Sequence, residues 1–180
     1  MTNLLRILIL SVTFLSASAH AQIWQTANVL QQGAATIGGN GQLYFDPSEF
    51  TFNGQLLYGI GNQLQLEARL GAGSLDFYAG AFVKYHFFGN KIFDLALWSG
   101  LHSQGNAYWD IAPIFSHDFG TVDLYFAPYI AISLGDRETG VTLNPGLIFD
   151  VKSDLKVYGE LGLEVSNIPT SLAVGIRYFF

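Results

Sequence analysis

Cysteine is absent from the chain, and basic residues are scarce. Without cysteine there is no disulfide framework, so backbone hydrogen bonds and packing must supply the stability. Eight Lys and Arg against fourteen Asp and Glu argue against a nucleic-acid-binding surface. No run approaches the roughly 20 apolar residues that a transmembrane helix needs. Hydrophobic residues nevertheless make up 50% of the chain, so the apolar surface must be organised in another way.

The first 21 residues have the pattern of a cleaved export signal. Arg6 precedes an apolar run over residues 7–15, and small residues lead to an A-x-A site at Ala19-His20-Ala21. A membrane anchor is the alternative, but the apolar run is too short to span a bilayer. We therefore predict a signal peptide at 1–21, a periplasmic N-terminal segment at 22–32 and one folded domain at 33–180.

The rest of the chain alternates apolar and polar side chains with a period of two. FTFNGQLLYGI (50–60) alternates in this way, Gly61-Asn62 follows as a turn, and QLQLEARLGA (63–72) alternates again. Two alternating runs joined by such a turn indicate a β-hairpin. The unit recurs to residue 180 and predicts ten strands, with eight as the alternative. Strands of this length cross a bilayer when tilted, and an even number brings both termini to one side.

Charged residues keep to one parity within each strand, as Glu67 and Arg69 do in one strand and Asp110 and Asp118 in another. The opposite parity is almost wholly Leu, Ile, Val, Ala and Phe. A soluble barrel would need a charged exterior, whereas a charge facing lipid at mid-membrane costs about 2–4 kcal/mol. The uncharged face therefore points to lipid, and the strands must close because an open edge cannot be satisfied in hydrocarbon. We predict a closed antiparallel up-and-down transmembrane β-barrel.

The last ten residues, SLAVGIRYFF, alternate apolar side chains up to the terminal phenylalanine. This ending resembles the C-terminal signature of Gram-negative outer-membrane β-barrels, and the whole domain resembles small barrels of the OmpA and OmpW sort. The resemblance implies an outer-membrane location, contact with outer-membrane lipids and closure of the last strand onto the first. It also implies an assembly signal read by the barrel-assembly machinery, formed by Val174, Ile176, Tyr178 and Phe180. We expect a monomer.

The inward parity predicts a lumenal ion-pair cluster, because buried charges require partners. Its expected members are Glu67, Arg69, Lys84, Glu160, Glu164 and Arg177. A barrel this small has little room beyond its own side chains, which favours a salt-bridged, non-conducting interior. A narrow path that favours cations is the alternative.

Three prolines fall inside neighbouring strands, where proline is normally confined to edges and bulges. If Pro113 lies opposite Pro128, and Pro128 opposite Pro145, one of these pairings loses its ladder hydrogen bonds. This predicts a lateral seam through which a lipid or apolar molecule could pass. Bulges that absorb the prolines are the alternative.

Catalytic chemistry has little support in the sequence. His102 and Ser103 with Asp76 or Asp110 form the one set of suitable residue types, but adjacent strand residues point to opposite faces. The scattered histidines have no metal-ligand spacing. We predict no catalytic residue, metal or cofactor. The expected role is mostly structural or passive, with a narrow porin-like pore or a carrier for small or apolar molecules as the alternative and a lipid-modifying enzyme as a third reading.

Overall fold

The computed structural model describes residues 22–46, 48–90 and 92–180. The predicted signal peptide, residues 1–21, lies outside them. No helix in these ranges is long and apolar enough to cross a membrane. The strands are β1 (Ala35–Phe45), β2 (Ser48–Gly59), β3 (Leu64–Gly73), β4 (Tyr78–Gly89), β5 (Asp94–Gln104), β6 (Ala107–Asp118), β7 (Val122–Ser133), β8 (Gly140–Lys152), β9 (Leu155–Ser166) and β10 (Ser171–Phe179).

The ten strands form one closed barrel in which each strand pairs with its neighbours in the chain. β1 and β10 close it, with pairs that run from Thr36 opposite Phe179 to Tyr44 opposite Ser171. Closure removes every sheet edge, which is the condition for β-structure in hydrocarbon. The predicted fold with ten strands is confirmed, and the alternative of eight is wrong. We call the end where β1 begins and β10 ends the terminal end, and the opposite end the far end.

The two parities of the strands face in the predicted directions. Val174 and Ile176 of β10 point outward and are each 56% exposed, whereas Glu67 and Arg69 of β3 point inward and are 4% and 1% exposed. Leu, Ile, Val, Phe and Tyr side chains are exposed along the other strands as well, and the exposed charged residues of the strands, Asp118, Asp150, Lys152 and Glu164, lie near strand ends. An uncharged exterior around a charged interior is the arrangement of a membrane barrel.

The wall is interrupted between β6 and β7. Pairing stops after Ile111 opposite Ile130 and resumes at Phe115 opposite Phe126. The same register places Pro113 opposite Pro128 at the centre of this gap. Neither proline carries an N–H, so the ladder hydrogen bonds that a pair here would exchange cannot form.

The expected pairing of Pro128 with Pro145 is wrong. Pro128 lies opposite Leu143, and Pro145 lies opposite Phe126. The pairing of β7 with β8 ends at Ala131 and Gly140, and its register lies two residues from the one that would bring Pro128 opposite Pro145. Pro145 lies instead in a second gap, between β8 and β9. Pairing stops after Leu143 opposite Leu163 and resumes at Gly146 opposite Glu160.

The outward parity leads to a first prediction. Leu70→Arg places a guanidinium on the apolar exterior, where Leu70 is 59% exposed and lies opposite Gly54 of β2. We expect it to lower the free energy of unfolding by about 2–4 kcal/mol in lipid vesicles. Denaturant titration followed by gel mobility measures this, with Leu70→Met as the matched control. Equal stability of the two variants would mean that this face does not contact hydrocarbon.

Candidate functional site

Residues 22–27 lie inside the barrel. All six are buried, and they precede β1 without belonging to any strand of the wall. Sequence analysis placed residues 22–32 in the periplasm, and the structure differs because the lumen is wide enough to hold a peptide. Eight strands enclose a space that side chains alone fill, so ten strands leave additional room. We call residues 22–28 the N-terminal plug.

Small side chains on the inward parity enlarge this space. Five inward alanines of the wall are completely buried: Ala96, Ala112, Ala127, Ala131 and Ala173. Gly146 has a related role, because a Cβ atom there would meet the Tyr125 ring at 2.1 Å. The bulk missing from the wall is supplied by the plug, whose Ile23 and Ala27 are completely buried in the same apolar cluster.

Arg69 connects the wall to the plug. Its guanidinium is paired with Glu67 and donates to the backbone carbonyls of Gln22 and, at 2.9 Å, Ile23. The Trp24 ring lies 4.4 Å from the guanidinium carbon, within the range of a cation–π contact. The second carboxylate oxygen of Glu67 accepts from the indole of Trp98 at 2.7 Å and from Gln25 at 2.6 Å. This buried pair therefore has further hydrogen bonds, which offset its desolvation.

Glu160 holds the plug from the opposite wall. Its carboxylate accepts the backbone N–H groups of Ile23 at 3.0 Å and Trp24 at 2.7 Å. The Tyr125 hydroxyl donates to the same carboxylate at 2.6 Å. The carboxylate thus accepts three hydrogen bonds. Hydrogen bonds to an ionised acceptor are stronger than those between neutral groups.

Two further cations bind backbone carbonyls of the plug. The ammonium group of Lys84 donates to Thr26 at 2.9 Å and to Asn28 at 2.6 Å. Arg177 donates to the carbonyl of Trp24. These contacts run in order along the plug, from Asn28 near the terminal end towards Gln22, whose side chain donates to Ser171 of β10 at 2.7 Å.

The structure brings five of the six predicted cluster residues together. Glu67 and Arg69 form an ion pair, and Lys84, Glu160 and Arg177 are buried around the same plug. Lys84 binds carbonyl groups of the plug and not a carboxylate of the predicted cluster. Glu164 lies apart: it is exposed near the far end of β9, where the wall no longer covers it.

Sequence reasoning missed the plug residues. The sequence does contain an indication that this segment is buried. The segment QIWQTANVL (22–30) has no charged side chain and carries Ile23, Trp24, Val29 and Leu30. A solvated tail is normally more polar than this. The spacing of these residues has no strand or helix period, so alternation gave no reason to place them in the core.

The far half of the lumen holds a second buried group. His102 pairs with Asp110, and the Tyr129 hydroxyl donates to the other oxygen of Asp110 at 2.7 Å. Tyr78 and Tyr108 stack on the two sides of the His102 ring, with centroids at 5.0 and 4.8 Å. Ser103 points outward and is exposed, so the nucleophile and the base of a hydrolase are not brought together here.

The far mouth is covered by the loop between β9 and β10. Ile168 is 2% exposed and packs so closely on Gly140 that a Cβ atom there would meet its side chain at 2.3 Å. Asn167 adopts a positive φ of 57° and donates to the Thr139 carbonyl at 3.0 Å, which directs Ile168 into the mouth. The plug thus occupies the centre of the lumen, and Ile168 is buried at its far end.

No protein-family model and no curated protein matches the sequence. Among solved structures, KdgM porin is similar to 81% of this chain over 99% of its own, with 13% identity and a TM-score of 0.53. A de novo designed transmembrane β-barrel matches 84% of this chain over 99% of its own at 14% identity and a TM-score of 0.48. The N-terminal β-barrel domain of Pseudomonas aeruginosa OprF matches 84% over 100% at 12% identity and a TM-score of 0.43. The likeness to KdgM porin is one of fold, and the chain has the fold of a small transmembrane β-barrel.

The Arg69 contacts lead to a second prediction. Arg69→Met leaves Glu67 buried without its cation and two plug carbonyls without their donor. We expect a loss of about 3–5 kcal/mol in the free energy of unfolding, the usual cost of removing one partner of a buried pair. Denaturant titration in lipid vesicles measures it.

The matched control is the double variant Glu67→Gln/Arg69→Met, which removes both charges. We expect it to be less destabilised than Arg69→Met, because no isolated charge remains. A double variant as unstable as the single one would mean that lost packing, rather than the unpaired carboxylate, causes the effect.

Proposed function

We propose that the chain is an integral outer-membrane β-barrel protein of the Gram-negative type, with a closed interior and a mostly structural or passive role. The observation that carries this proposal is the filled lumen. The plug occupies its centre, with Ile23 and Gln25 completely buried, and Ile168 covers the far mouth. We infer that an interior filled in this way blocks the passage of a solute.

Two features support the outer membrane as its location. The exterior of the barrel is apolar, as contact with outer-membrane lipids requires. Tyr178 and Phe180, at the end of the predicted assembly signal, are 44% and 74% exposed on the outward side together with Val174 and Ile176. An outward position leaves these side chains accessible to the barrel-assembly machinery. A barrel closed by its own β1 and β10 needs no second copy, in keeping with a monomer.

A non-enzymatic role is supported by the geometry of the polar residues. Ser103 faces away from His102, and Glu67 and Glu160 are engaged by the plug. A nucleophile, a base and an access route for lipid do not occur together at these positions, and all three are needed for a lipid-modifying enzyme.

A carrier for apolar molecules is the second candidate, and the gap between β6 and β7 favours it. The wall there lacks pairing around Pro113 and Pro128. Behind the gap the inward residues are Ala112 and Ile114 of β6 and Ala127 and Tyr129 of β7, all completely buried. An apolar molecule that entered between the strands would meet an apolar lining.

Conductance tests the closed interior and gives a third prediction. Full-length protein in planar bilayers is expected to show no discrete openings, because the plug and Ile168 fill the lumen. The control is gel mobility of unboiled and boiled samples, since a closed barrel shifts on heating. Cation-selective openings from heat-modifiable protein would overturn the closed interior and favour the narrow pore.

Hydrogen exchange tests the lateral opening and gives a fourth prediction. If the gap opens, amides at its borders, Ile111, Phe115, Phe126 and Ile130, exchange faster than those of the continuous ladder between β5 and β6. The variant Pro113→Ala/Pro128→Ala restores two N–H donors, and we expect it to slow exchange at the four borders. If these four amides in the wild type are as protected from exchange as those of the β5–β6 ladder, the gap does not open and the carrier function is excluded.

A further inference from the structure

We propose that the interior of the barrel is a binding site for an extended peptide with uncharged side chains and one large aromatic anchor, and that the plug is its intramolecular ligand. The proposal rests on the closed barrel of the proposed function and adds a ligand class to it. Residues 22–28 are then a ligand that the chain supplies to its own binding site, and they can leave that site.

The polar contacts of the wall are directed mainly at the backbone of the plug. Five of its carbonyl groups accept hydrogen bonds from Arg69, Arg177 or Lys84: Gln22, Ile23, Trp24, Thr26 and Asn28. Three of its N–H groups are bound as well, those of Ile23 and Trp24 by Glu160 and that of Ala27 by the Ser116 hydroxyl at 2.9 Å. Side chains that satisfy successive backbone groups of a foreign segment are the means by which proteins bind extended peptides.

Trp24 is the anchor of the plug. Its ring is 2% exposed, stacks on Tyr158 with centroids 6.5 Å apart and faces the Arg69 guanidinium. The indole N–H donates to the side chain of Gln22 within the plug at 2.7 Å. A buried aromatic with a cation on its face is the usual hot spot of a binding site. The side chains of the plug are all uncharged, and its backbone supplies the partners of the lumenal cations Lys84 and Arg177 and of Glu160.

The plug is separable from the wall. It contributes no strand, and the β1–β10 pairing closes the barrel without it. It continues into residues 31–33, which are exposed, and Gly33 turns the chain into β1 with a φ of 84°. Removal of the plug therefore breaks no ladder hydrogen bond of the barrel.

A polar cavity beside the plug gives it a route out of the lumen. The cavity has a volume of about 230 Å³, lies at the terminal end and borders residues 26 and 28–30. Lys84, Arg177, Lys156 and Asp123 also line it. Water in this cavity can solvate the carbonyls of Thr26 and Asn28 and the Lys84 ammonium as they separate.

Peptide binding in trans tests the site and gives a fifth prediction. A barrel that lacks residues 22–28 is titrated with a dye-labelled synthetic peptide, QIWQTAN, and fluorescence anisotropy is measured. We expect saturable binding of one peptide per barrel and at least tenfold weaker binding to the full-length protein, whose site is occupied. A Trp24→Ala peptide is expected to bind at least tenfold more weakly, whereas a Thr26→Ala peptide keeps its affinity because only the Thr26 carbonyl is bound.

Three results would overturn the proposal: no binding to the deletion barrel, equal binding to the full-length protein, or equal affinity of the Trp24→Ala peptide. Heat-modifiable gel mobility of the deletion barrel distinguishes these failures from a failure of the barrel itself. A shift on heating without peptide binding removes the peptide site and leaves the closed barrel of the proposed function intact.

A second measurement uses the full chain, in case the deletion variant does not fold. The chain has no cysteine, so Thr26→Cys provides a single thiol on the plug, and Ala173→Cys provides one on the inner wall. With a water-soluble maleimide we expect Lys84→Met to speed the reaction of both thiols at least tenfold, because release of the plug exposes the inner wall as well as the plug. Rates that are the same with and without Lys84→Met would show that the plug does not leave the lumen and would contradict the proposal.

Discussion

Hydrocarbon solvates neither a charge nor an unpaired peptide group, and the structure of this protein depends on that constraint. It requires the strands to close, which β1 and β10 accomplish, and it requires the charges of the wall to face the lumen. Inside the barrel a second constraint applies: each buried ion needs a hydrogen-bond or ion-pair partner. The lumen contains Glu67, Arg69, Lys84, Glu160 and Arg177, but Glu67 with Arg69 is the one direct ion pair among these five residues.

The N-terminal plug completes this set of partners. An extended peptide carries a carbonyl and an N–H at each residue, so it can satisfy cations and carboxylates together. Three cations bind plug carbonyls and Glu160 binds plug N–H groups. Ile23 and Trp24 fill the volume that inward glycines and alanines leave open. The same residues thus give the buried charges hydrogen-bond partners and fill the centre of the lumen, which side chains of a ten-stranded wall would leave open.

The wall is least regular where proline replaces a ladder donor. Pro113 and Pro128 coincide between β6 and β7, and Pro145 produces a separate gap between β8 and β9. Proline lacks an N–H wherever it occurs. Which residue of the neighbouring strand loses its hydrogen bond, however, depends on the register of the two strands. A one-residue shift in the centre of a loop moves the pairing by two residues, so the Pro128–Pro145 pair expected from the sequence did not form.

The sequence by itself determined the strands and which face of each points inward, because two-residue alternation and the exclusion of charge from lipid are local patterns. It favoured ten strands over eight, and the closed sheet decided the number. It also indicated that Glu67, Arg69, Lys84, Glu160 and Arg177 share the lumen, since parity alone places them there. Only the tertiary structure decided that Glu164 lies beyond the enclosed region and that Lys84 binds carbonyls. It alone placed residues 22–27 in the interior, through contacts such as that of Trp24 with Glu160, 136 residues away. Such contacts leave no periodicity in the sequence, because they depend on the width of a lumen that exists once all ten strands have closed.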